Sequence, residues 1–144
     1  MAAISARGRA AKTEYRVVVS GKDASLIECQ LHSGRTHQIR VHLRHLGHPV
    51  LGDKLYGPKF AKNFPRQMLH GWKLGFQHPC TGDWRSFEAP LPEDFRDALR
   101  AVEIAAALEG NHPLLNPLPE GEERATALAA ARRPSPPRTR RGLG

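Results

Sequence analysis

The chain has 144 residues, of which 40% are hydrophobic and 25% charged, and it carries a formal net charge of +8. That length suits one domain and that composition can pack a core, so wholesale disorder is not expected. No apolar run reaches the roughly 18–20 residues of a membrane helix. The opening MAAISARGRAAK has charge without an apolar centre, and Cys29 and Cys80 are too few for a disulfide framework. The expectation is a cytoplasmic protein with no membrane attachment.

The charge is unevenly spread. Residues 1–16 carry +3 and residues 132–144 carry +5, while 17–131 hold 13 basic and 13 acidic residues. Within that neutral middle, His32–Lys73 has eight Lys or Arg against Asp53 alone, and Asp83–Glu109 has seven acids against three arginines. A concentrated positive face suits a polyanion; a solvated surface is the plainer alternative.

In chain order, residues 1–13 read as a flexible leader. Tyr15–Ser20 is a β-branched run, and Ser25–His32 alternates with Ile27, Cys29 and Leu31 on one side. With Gly21-Lys22-Asp23 between them, the pair predicts a hairpin. Thr36 is placed to cap a helix over His37–Leu46, in which Ile39, Leu43 and Leu46 form a buried stripe. Met68, Trp72, Leu74 and Phe76 predict a strand, joined through HPCTGD to a partner at Trp84–Ala89. A second helix starts after Pro92, with Phe95, Leu99, Val102 and Ala106 on its apolar face and Gly110 closing it.

Residues 14–110 thus read as an α+β domain: a partial mixed or antiparallel sheet of two hairpins with two flanking helices. Residues 111–144 read as a Pro/Arg-rich disordered tail, with at most a short Ala-rich helix over Glu122–Arg133. The histidines invite a metal reading, but their spacings and the two single cysteines make satisfied or solvent-facing histidines the better one, and no metal site is assigned.

The segment His32–Tyr56 holds the chemistry. Ser33-Gly34-Arg35 is a turn presenting a guanidinium ahead of a helix N-terminus, an arrangement that favours an anion. An ordinary surface helix with a capping turn is the alternative on physics alone.

Gly34-Arg35-Thr36-His37-Gln38-Ile39-Arg40-Val41-His42-Leu43, then Gly47-His48-Pro49 and Gly52-Asp53-x-x-Tyr56-Gly57, resembles the signature of the RluA-type pseudouridine synthases. Thr13-x-Tyr15-Arg16-Val17, Met68-Leu69-His70, Leu74-x-Phe76-x-His78-Pro79-x-Thr81-Gly82 and Phe87-x-Ala89-Pro90-Leu91-Pro92-x-Asp94-Phe95 resemble further pieces in the same order. The likeness covers roughly residues 13–97, the C-terminal part of the family's catalytic domain.

The resemblance implies isomerisation of uridine to pseudouridine in structured RNA, rRNA or tRNA, on a nucleotide flipped into the site, with no metal or organic cofactor. It implies that Arg35 pairs with the family's essential aspartate, and that His37, Gln38, Arg40 and Arg44 contact RNA. Ile39 and Leu69 match positions near the uracil pocket, with core packing as their other reading. The family's aspartate lies in a His-Arg-Leu-Asp-type segment that this chain does not contain. The expectation is therefore a truncated portion, inactive alone, whose N-terminal half is encoded separately and whose exposed strand edges invite self-association. A non-catalytic RNA-binding module is the alternative.

Overall fold

The computed structural model describes residues 9–57, 64–104 and 124–132. Their elements are β1 (Thr13–Ser20), β2 (Ala24–Leu31), α1 (Gln38–His45), β3 (Leu69–Gln77), β4 (Trp84–Glu88), α2 (Glu93–Ala101) and β5 (Arg124–Arg132). The strands form one antiparallel sheet in the order β1-β2-β5-β3-β4. None of the described helices is long and apolar enough to cross a membrane.

Both hairpins form as their sequences dictate. At the first, the Gly21 N–H donates to the Ala24 carbonyl at 2.8 Å, and strand pairing runs from Ser20↔Ser25 to Thr13↔Leu31. At the second, the His78 N–H reaches Asp83 O, and His78 Nδ1 accepts from the N–H groups of Cys80 and Thr81.

Neighbouring residues of a strand point to opposite faces, and β2 is buried on both. Ala24 and Leu26 join Leu51, Met68, Trp72 and the Phe95, Ala98 and Leu99 face of α2. Ile27 and Cys29 join Ile39 and Leu43 of α1 with Val50, Ala129 and Ala131. The two helices therefore flank opposite faces of the antiparallel sheet.

Three local expectations are corrected. The stretch 124–132 is neither a helix nor a structureless tail but the central strand, pairing β2 on one side and β3 on the other. Alanine-rich sequence has weak strand preference, yet this position satisfies backbone groups on both flanking strands, and Ala129 and Ala131 are small enough to bury beneath α1. The rest of the expected tail, 111–123 and 133–144, lies outside the described residues, as do residues 1–8 of the expected leader, whose last residue, Thr13, instead opens β1 opposite Leu31.

The second correction concerns α1, which is capped by His37 in the left-handed conformation (φ 56°) and not by Thr36. The side chain of Gln38, described below, pulls the preceding turn into that shape. Third, α2 ends at Ala101 and not at Gly110. Glu103 takes a left-handed φ of 58°, and the Ile104 N–H returns to Leu99 O at 3.0 Å, which drops Ile104 into the core.

Candidate functional site

The site is built where β2 gives way to α1. The buried amide of Gln38 makes four hydrogen bonds. Its Oε1 accepts from the Ser33 hydroxyl (2.9 Å) and the Arg35 N–H (3.0 Å). Its Nε2 donates to Lys12 O and Thr13 Oγ1, each at 3.0 Å. One side chain thus ties the Arg35 turn to the start of β1. On the next turn of α1, buried His42 places Nδ1 2.9 Å from the same Thr13 hydroxyl, and burial pushes its pKa below the ordinary value.

A second brace lies on the other side. Asp53 has a fully buried side chain that accepts from Arg40 Nε at 2.7 Å and Arg40 Nη2 at 2.8 Å. It also accepts from the N–H groups of Leu55 (3.0 Å) and Tyr56 (2.9 Å). Burial alone raises such a carboxyl, but the Arg40 fork and the two N–H groups outweigh it, so its pKa lies below the usual range. Tyr56 then covers the pair: its ring is 5.0 Å from the Arg40 guanidinium, and its hydroxyl is 3.2 Å from His37 Nδ1.

Between these braces opens a cleft of about 320 Å³, lined by Leu31, Gly34, Arg35, His37, Gln38, Ile39, Arg40, Gln67 and Leu69. The volume falls at the small end of ligand pockets, roughly 300–1,000 Å³. Its apolar walls are Leu31, Ile39 and Leu69, and Arg35 is exposed at its edge. Among the described residues no carboxylate forms an ion pair with Arg35, and no group of three or more His, Cys, Asp or Glu is set to hold a metal ion.

Of the residues singled out from the sequence, Arg35, His37, Gln38, Ile39, Arg40 and Leu69 all line this one cleft; Arg44 is exposed further along α1 and does not. Two of them sit differently from a surface RNA contact. Gln38 spends its amide on internal partners, and Arg40 is locked on Asp53. Sequence reasoning passed over Leu31, Gln67 and the contact of Tyr56 with His37. The signal for Tyr56 was present in Gly-Asp-x-x-Tyr, since an aspartate followed by free N–H groups two and three residues on is a turn-forming pattern.

The RNA pseudouridylate synthase family model matches residues 1–45. An uncharacterized RNA pseudouridine synthase of Chloroflexus aurantiacus is 50% identical over 101 residues, covering 69% of this chain and 32% of that protein. The uncharacterized RNA pseudouridine synthase YlyB of Bacillus subtilis is 49% identical over 92 residues, covering 64% and 30%. Together with the motif-bearing cleft, these matches make this a chain of the RNA pseudouridine synthase family. Within that class it is of the RluA type: the ribosomal large subunit pseudouridine synthase D of Nitrosomonas europaea is 43% identical over 108 residues, 69% of this chain and 31% of the relative. The chain spans about a third of the length of these relatives.

Proposed function

We propose that this chain supplies the arginine-bearing wall of a pseudouridine synthase site acting on uridine in structured RNA, rRNA or tRNA, in the cytoplasm. The observation that carries the reading is Arg35, exposed beside the apolar walls Ile39 and Leu69 and without a carboxylate partner among the described residues.

In the reaction the bond from N1 of uracil to C1′ of ribose breaks and one from C5 to C1′ forms. The C5 hydrogen leaves as a proton, and N1 gains one. Arg35 would hold the essential aspartate ionised and oriented, because a neighbouring cation favours the charged carboxylate. Ile39 and Leu69 would grip the flipped base. His37 and Arg44 would contact phosphates, while Gln38 and Arg40 would act through the turn they hold. The aspartate would come from beyond these 144 residues, in the same or a separate polypeptide, since all five aspartates of the sequence lie among the described residues, none of them pairs with Arg35, and Asp53 is consumed by Arg40.

Release of tritium from RNA carrying C5-tritiated uridine tests this. The chain alone releases none; supplying the remaining part of a relative in trans restores release, and Arg35→Ala abolishes it. Release by this chain alone that depends on Asp23 or Asp53 would overturn the reading. The absence of a described carboxylate beside Arg35 equally favours a module that binds RNA without chemistry, for which salt-sensitive RNA binding persists and release is absent in both settings. The outer edges of β1 and β4 carry no further described strand, which supports self-association; a monomer by light scattering at high concentration would refute it.

A further inference from the structure

The sheet face that walls the cleft continues beyond it. Strand register carries one row from Leu31 on β2, across residue 125 of β5, to Leu74 on β3 and Phe87 on β4. Phe76 and Arg85 are paired one step further along the same face. At about 4.8 Å between strands, Leu31 to Phe87 spans about 14 Å, the rise of roughly four stacked nucleotides.

This extension is apolar yet open to solvent. Leu74 is 46% and Phe87 56% exposed. The rings of Phe76 and Phe87 lie nearly parallel, at 16°, with centroids 5.8 Å apart. A guanidinium stands at each end, Arg35 at the cleft and Arg85 beside Phe76. Arg85 meets Asp83 at 3.7 Å at the surface, a contact weak enough to yield to phosphate.

We propose that Phe87, stacked on Phe76, is a platform for an unpaired nucleobase of the RNA strand whose neighbouring nucleotide enters the Arg35 cleft. The inference rests on the RNA reading above. Flat rings flanked by guanidinium groups match planar bases on an anionic backbone, the combination that binds single strands without reading sequence. Continuity of the row with the cleft sets which nucleotides share it.

The test uses the full chain and a short single-stranded oligoribonucleotide containing 2-aminopurine, whose fluorescence falls when the base stacks. The wild type quenches the probe. Phe87→Ala weakens binding about five- to tenfold and removes quenching, with an unchanged slope of affinity against salt, because no phosphate contact is lost. Phe87→Leu, which keeps apolar bulk without the ring, also removes quenching. Val17→Ala, at another exposed apolar residue on the far edge strand (54% exposed), changes neither.

Wild-type quenching and affinity in Phe87→Ala, with Arg35→Ala still lowering the salt slope, would overturn the platform and leave the RNA reading intact. No binding by the wild type even at low salt would sink both. Loss of self-association in Phe87→Ala on sedimentation, with RNA affinity unchanged, would assign the face to polypeptide and refute the proposal.

Discussion

Arg40 closes a two-pronged grip on Asp53, with Nε and Nη2 at 2.7 and 2.8 Å from the two carboxylate oxygens, and the aspartate side chain is fully buried while only 11% of the arginine's is exposed. Removing one partner of such a pair strands a charge in the interior, which costs about 3–5 kcal/mol. Asp53→Asn or Arg40→Met should therefore lower the urea midpoint substantially, and the double variant should lose less than the two singles combined. The pH dependence has a fixed sign. The folded carboxyl titrates below its unfolded value of about 3.9, so its contribution is complete above that pH and declines as pH falls through the lower folded value. Asp53→Asn should flatten the acid limb of a stability–pH profile, and an unaltered limb would show the pair contributes nothing.

Gly52 stands just before that aspartate with φ +72°, and a Cβ there would lie 2.0 Å from the Arg66 carbonyl. Backbone cannot yield as a side-chain tip can, and the dihedral itself disfavours any other residue. Gly52→Ala should fail to give a cooperative melt, or melt many degrees lower; wild-type melting would show that the 52–66 contact is not kept in solution.

The hairpins, the presence of both helices and the 34–40 side of the cleft were legible because each is local. Alternation in 25–32, the turn residues 78–83 and the stripe through Ile39 and Leu43 act over a few positions, and the arginine motif gathers Arg35, His37, Ile39 and Arg40 within two turns. What escaped depends on distant partners. A strand made of alanines is set by the open edges of β2 and β3, not by its own preference. Gln38 reads as a surface amide until Lys12 and Thr13, some 25 residues earlier, are folded against it. The left-handed Glu103 is dictated by burying Ile104, a tertiary demand that no capping residue announces.

His42 offers a second titration with its own sign. Burial on the inner face of α1 depresses its pKa, so the unfolded chain takes up a proton more readily than the folded one. Stability is complete above the unfolded value of about 6.5 and falls as pH drops below it. The His42 ring protons followed by NMR should titrate below those of an unfolded reference peptide, and a midpoint at or above the reference would contradict the buried contact with Thr13.

Gln38 provides the link between fold and site. Its four hydrogen bonds join β1 to the turn that carries Arg35, and Gln38→Leu would retain the shape while leaving those partners unpaired. The expected loss is about 2–3 kcal/mol, read from denaturant unfolding, with faster hydrogen exchange at the Arg35 amide. Because the amide spends all four of its hydrogen bonds on internal partners, its effect on RNA should pass through Arg35. Gln38→Leu should then weaken binding and lower the salt slope in the wild-type background, yet change little once Arg35 is alanine. Additive losses in that double-variant cycle would mean the glutamine contacts RNA itself, and the brace would have to be read as a binding group.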